Sequence, residues 1–298
     1  MGYGWTRSDR KERIHLFGRA FRLLGQSWHI VMAEKSLLAL PVVSMLVSLV
    51  VIAVFGLGAA GIGLPAEGES ANPLLYLLGF LLYVVLAFVA IYTNAVVIGI
   101  AMRRLSGEDA TLRDGLALAN GHLPAIAAWS VVTATVGMVL RAIQSSDNVI
   151  ARILAGLAGV AWTVLTFFVV PVLLFEQAGV GTAMKRSASI FRQRWGEQFI
   201  GNGTIGLALF LLAIPVFVLA GFVTAAIPAL GIALIVLAVV AFVALGGAMS
   251  GVFNAALYRF ATAGEVKGGF SEQDLATAFR PRRGRGSSTP GAPPGFAG

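Results

Sequence analysis

Long uninterrupted runs of apolar residues alternate with short polar segments along this chain. Six runs reach the ~20 residues that a helix rising ~1.5 Å per residue needs to cross a bilayer. They are Leu37–Leu57, Leu75–Ile100, Leu123–Leu140, Leu154–Phe175, Thr204–Ala226 and Ile232–Ala256. Only Pro228, Ala229, Leu230 and Gly231 separate the last two, which fits a tight helical hairpin or else one long broken segment. Pro41, Pro171 and Pro215 fall inside runs and are expected to kink them. The expected fold is all-α: a polytopic membrane helix bundle with six transmembrane helices.

The polar segments have a pattern of their own. Phe17, Phe21, Leu24 and Trp28 recur at spacings of four, three and four, and Met184, Ala188, Phe191 and Trp195 repeat that rhythm. Leu112, Leu116 and Ala119 form a shorter version. Each set puts one apolar stripe on a helix whose other faces carry Arg and Lys, the pattern of a helix lying in the membrane interface. Capping boxes are expected at Thr111 with Asp114 and at Ser271 with Asp274. The order suggests an interfacial helix followed by a membrane hairpin, three times over, with a short fourth helix at the end. Four parts follow: a cytoplasmic segment over 1–36, a six-helix membrane domain over 37–262, a short amphipathic segment over 263–280 and a tail over 281–298. The tail is rich in Arg, Pro, Gly and Ser, and is expected to be disordered.

Charge sets the orientation. Twenty of the 22 basic residues fall in the N-terminal segment, the loops after the second and fourth runs, and the C-terminal region. Only Arg141 and Arg152 fall in the alternate loops, and Glu67 and Glu69 make the first of those acidic. Basic residues stay on the cytoplasmic side, so both termini are expected in the cytoplasm of a cell whose inner membrane holds the chain. The first apolar run starts behind a long charged segment, which argues against a cleaved signal peptide. The composition agrees, with 57% hydrophobic and 12% charged residues against about 25% charged in a soluble domain. The net charge of +8 is explained by this sidedness rather than by nucleic acid.

Candidate chemistry is sparse. The absence of cysteine excludes disulfides and thiolate chemistry. His15, His29 and His122 lack a second ligand at helical spacing, so no metal is expected. Gly56, Gly58 and Gly61 spell GxGxxG, but at a membrane-helix end, where a loosened helix explains them better than a nucleotide. Asn202–Thr204 matches a glycosylation sequon on the wrong side of the membrane. No nucleophile elbow, P-loop or HExxH occurs, so neither catalysis nor a cofactor is expected. The spans lack buried ionisable groups of the kind that mark proton relays. Glu176 is expected to pair with Lys185 or Arg186 at a helix end.

Two sets of candidate residues remain. Lys185, Arg186, Arg192, Arg194 and Trp195 surround the stripe of one amphipathic segment, where they would meet anionic lipid. Asn94 and Asn254 are the most costly polar residues in the spans. They would bridge helices, or else line the path of a transporter or channel. Tyr83, Tyr92, Thr93, Ser130, Thr133, Thr135, Thr163, Thr166 and Ser250 raise the same choice. Gly247 with Gly251, and Ala155 with Gly159, permit close helix contact within the monomer. The expected role is a non-enzymatic membrane scaffold or accessory protein; the sequence names lipid as its partner and specifies no protein partner.

Three stretches, Arg103–Ile143, Ala161–Asn202 and Gly251–Arg280, resemble an uncharacterised family of prokaryotic multi-pass membrane proteins, a DUF6159-like domain of unknown function. The most specific pieces are Pro171 to Ser187, the Trp195–Glu197 triplet and the ALYRFA run over Ala256–Ala261. The P…E…KRS pattern is also similar to membrane regions of other bacterial multi-pass families. The resemblance implies a membrane location, no known activity and no catalytic residues.

Overall fold

A computed structural model of the chain describes residues 36–63, 72–195 and 204–263. The N-terminal segment, the acidic loop, the Asn202 sequon, the second capping box and the tail lie outside these residues. Among the described residues the chain forms nine helices and no strand. They are α1 (Ser36–Ile62), α2 (Pro73–Leu105), α3 (Leu112–Gly121), α4 (Leu123–Gln144), α5 (Val149–Leu165), α6 (Val169–Phe175), α7 (Val180–Trp195), α8 (Thr204–Ala226) and α9 (Pro228–Ala263).

Five stretches are long and apolar enough to cross a membrane: α1, α2, α4, α5 with α6, and α9. The 23-residue α8 matches the remaining expected run, and its described side chains are apolar over Ala213–Thr224. The chain thus has the makeup of a multi-pass membrane protein.

Local sequence explains the helix ends. Asn72 Oδ1 accepts from the Leu74 N–H at 3.0 Å and Pro73 occupies the first turn of α2. Asn148 Oδ1 caps α5 at the N–H groups of Ile150 and Ala151. Only Ile227 separates α8 from α9, and Pro228 starts α9. The expected hairpin is therefore tighter than the run boundaries suggested. Gly231 makes it possible, because a Cβ there would overlap the backbone of Thr224. At Gly56–Gly61 the expectation of a loosened helix fails. α1 stays helical to Ile62 and stops only at Gly63, whose φ of 91° suits glycine. Where no water competes for the amides, intrahelical hydrogen bonds outweigh the weak helix propensity of glycine.

α2 is the hub, packing on α1, α3, α4, α6 and α9. The buried core gathers at one end of the bundle. It holds Ala95–Ala101 and Leu105 of α2, residues Val252 and Ala255–Tyr258 of α9, nearly all of α6, and Ala183 and Ile190 of α7. Away from it, large apolar side chains such as Leu57, Leu157, Leu219, Phe222 and Leu237 lie more than 60% exposed. An exposed apolar surface that extensive is stable only against lipid or another apolar partner.

Candidate functional site

The fourth expected run is not one helix. It breaks at Thr166–Phe168 into α5 and α6. Pro171 supplies the reason, since it has no N–H for the Phe167 carbonyl, its partner in a continuous helix. Asn254 Nδ2 of α9 donates to that carbonyl at 2.8 Å, and the Phe168 N–H donates to Ser187 Oγ of α7 at 3.0 Å. Ser187 is fully buried and Asn254 is 7% exposed, so both bonds lie where water does not substitute. Phe168 packs beside Tyr258 with ring centroids 6.2 Å apart.

Two turns further on, Glu176 caps the end of α6, and Gln177 turns the chain through a left-handed conformation with φ 49°. Both Glu176 oxygens lie 3.1 Å from Arg186 Nε, and Oε1 also accepts from the Tyr258 hydroxyl at 2.9 Å. The expected pairing of Glu176 with Arg186 is therefore present, with a third partner on α9. Together these bonds tie α7 and α9 to the two sides of the break. Ser187 and Tyr258 lie in the stretches that carry the family resemblance, but nothing along the chain marked them as partners of the break. Pro171 announced a free carbonyl without saying what would reach it.

α3 docks on the end of α2. Gly115 lets the backbones meet, since a Cβ there would come 2.7 Å from Ile100 Cγ1 and 2.8 Å from the Val96 oxygen. The Tyr92 hydroxyl donates to Asn120 Oδ1 at 2.8 Å, and Arg103 Nη1 lies 3.0 Å from Asp114 Oδ1. Asp114 also accepts from the Thr111 N–H and hydroxyl, realising that expected cap. The Thr111 hydrogen bonds, with Arg103 beside them, hold its carboxyl below the usual carboxylate range. Arg259 reaches from α9 to Ser106 Oγ, so the ends of α2 and α9 are joined here too. His122 Nδ1 sits 2.8 Å from the Leu118 carbonyl oxygen.

α7 buries a face displaced from the expected stripe. Ala183, Ser187, Ile190 and Phe191 are inside, whereas Met184 and Ala188 are half-buried at the edge. The buried face is displaced because Ser187 is held inward by the Phe168 N–H, while Arg186 pairs with Glu176 from an exposed position. Of the candidate lipid contacts, Lys185 and Arg192 are exposed, and neither has a carboxylate partner among the described residues. Arg186 is engaged with Glu176. Arg194 and Trp195 end α7, and their side chains lie outside the described residues. Between α7 and the C-terminal half of α5 runs an open groove of about 790 Å³.

Asn94 and Asn254 do different things. Asn94 is half-buried on the α2–α9 seam, with its Oδ1 3.4 Å from where a Cβ on Gly251 would stand. Gly251 meets Val97 of α2, and Gly247 meets Pro41 of α1, so the GxxxG pair packs within the monomer. The hydroxyls expected to bridge helices mostly do not. Those of Thr93, Ser130, Thr135, Thr163 and Thr166 each donate to the carbonyl four residues earlier in their own helix. A helical hydroxyl reaches that oxygen without any neighbour, and the local bond wins.

A model of a family of unknown function (DUF6159) matches residues 74–270, from the first turn of α2 past the end of α9. The chain belongs to this family. The matched stretch includes the α2 hub, the α5–α6 break, α7 and α9, so the bonds that tie α7 and α9 to the break lie inside the family's extent. No curated protein and no solved structure matches the chain. DUF6159 membership brings no activity with it, and the functional reading rests on geometry.

Proposed function

We propose that this protein is a non-enzymatic scaffold or accessory protein of the cytoplasmic membrane, with both termini in the cytoplasm and a basic collar that meets anionic lipid. One observation carries the reading. The packed core, the helices α3, α6 and α7, and the basic residues Arg103, Arg104, Arg113, Lys185, Arg186, Arg192 and Arg259 all gather at one end of the bundle. Arg141 and Arg152 stand at the far ends of α4 and α5. Between these levels the helix surfaces are apolar and exposed. An apolar belt bounded on one side by basic residues suits a membrane whose cytoplasmic leaflet is anionic. Asn254 Nδ2 is taken up by the Phe167 carbonyl, which supports a packing role for the residue rather than a lining role in a substrate path, although its Oδ1 is buried without a hydrogen-bond partner among the described residues.

Orientation has a clean test because the chain has no cysteine. Gly68→Cys is expected to react with an impermeant thiol reagent on intact cells, and Ser189→Cys only after permeabilisation. The reverse pattern overturns the orientation. For lipid, the purified full-length chain in mixed micelles is expected to retain phosphatidylglycerol over phosphatidylcholine, with the preference shrinking at high salt. Equal retention of the two lipids at low salt removes the lipid reading.

A further inference from the structure

Lys185 and Arg192 are seven residues apart on α7, two helical turns, and so share a face with ~10 Å between them along the axis. They form the polar edge of the α5–α7 groove. Its walls are apolar, built from Leu157, Val160, Val164 and Leu165 of α5. Leu157 is 63% exposed and Val160 is 59% exposed, so no other part of the described chain covers this wall. The volume of about 790 Å³ falls within the ~300–1,000 Å³ of ligand sites.

The two halves of this groove ask for one amphipathic occupant. A guanidinium and an ammonium with no carboxylate beside them attract a phosphate. Four aliphatic side chains in a row offer nothing to a free anion but suit a hydrocarbon chain. From Leu157 to Leu165 α5 rises ~12 Å, close to the ~15 Å hydrocarbon depth of one leaflet. We propose that the groove binds one anionic phospholipid of the cytoplasmic leaflet, its phosphate on Lys185 and Arg192 and an acyl chain along α5. This inference rests on the lipid reading above and narrows it from a diffuse collar to one site.

The experiment is native mass spectrometry of the full-length chain with equal phosphatidylglycerol and phosphatidylcholine. The wild type is expected to hold one phosphatidylglycerol above background. K185Q and R192Q are each expected to weaken that binding about fivefold at low salt, the effect of one charge near an anionic phosphate. Ala161→Trp, on the exposed groove-facing side of α5, keeps both charges and is expected to expel the lipid by filling the groove. R141Q removes an exposed charge at the far end of α4, outside the collar, and is expected to leave the bound lipid in place. Millimolar glycerol phosphate is expected not to compete. Binding unchanged in both K185Q/R192Q and Ala161→Trp overturns the groove while leaving the collar reading intact. A wild type with no preference for phosphatidylglycerol overturns the collar reading and the groove with it. Full competition by glycerol phosphate overturns the acyl-chain assignment.

Discussion

Asn254→Leu is expected to destabilise the bundle by about 1–3 kcal/mol, the cost of leaving a buried acceptor without its donor. The acceptor is the Phe167 carbonyl, 2.8 Å from the Asn254 amide and 87 residues away in sequence. Pro171 is what makes the carbonyl dependent on that amide, and this gives the prediction a sharper form. In Pro171→Ala the chain regains an N–H at residue 171 that is able to bond Phe167 within the helix. The cost of Asn254→Leu is then expected to shrink, with a coupling of about 0.5–3 kcal/mol between the two positions. Denaturation of the four proteins in mixed micelles closes the cycle. Equal cost of Asn254→Leu in both backgrounds would show that the amide does not act through the freed carbonyl. Asn94→Leu serves as the contrast, since Asn94 has no hydrogen bond among the described residues, and its effect is expected to be smaller.

Gly251→Ala is expected to cost about 1–3 kcal/mol by overpacking, and Gly251→Leu more. The Cβ at this position would overlap Val97 Cγ1, a β-branched side chain with little freedom to turn away and itself only 1% exposed. α9 must then move off α2, and the buried contacts of Val252, Ala255 and Ala256 loosen with it. Gly247→Ala is expected to cost less, because its Cβ would stand 2.9 Å from Pro41 Cγ, nearer to a tolerable contact. Thermal unfolding of the three variants tests the order. A Gly251→Ala protein as stable as wild type would mean that α2 and α9 do not approach this closely. The effect is distinct from that of an interface between copies, since both glycines face helices of their own chain.

Much of the architecture was legible along the chain. Run lengths of Leu, Val, Ala and Ile gave the membrane helices, because the bilayer imposes one length scale on any segment that crosses it. Thr111 with Asp114 gave the start of α3, and the short Pro228–Gly231 stretch announced the hairpin between α8 and α9, although the turn itself is at Ile227, because capping and turn chemistry act within four residues. The pairing of Glu176 with Arg186 was readable across ten residues, because a short connection folds the first turns of α7 back beside the end of α6. The stripe on α7 was read only approximately. Apolar periodicity marks which face leaves water, but lipid and protein accept the same residues, so Met184 and Ala188 look alike whether they face one or the other.

Length, hydropathy and charge act on each segment independently, so the order of residues already implies an all-α chain with spans of bilayer length and a basic side. Pro171 announced a disturbance of the fourth run, and the tertiary structure placed the break at Thr166–Phe168. It also decided that Asn254, Ser187 and Tyr258 complete the break, and that Lys185 and Arg192 are left over a groove on α5. Those outcomes depend on which donor reaches which acceptor across 19 to 87 residues of chain, and no spacing rule along the sequence carries that distance.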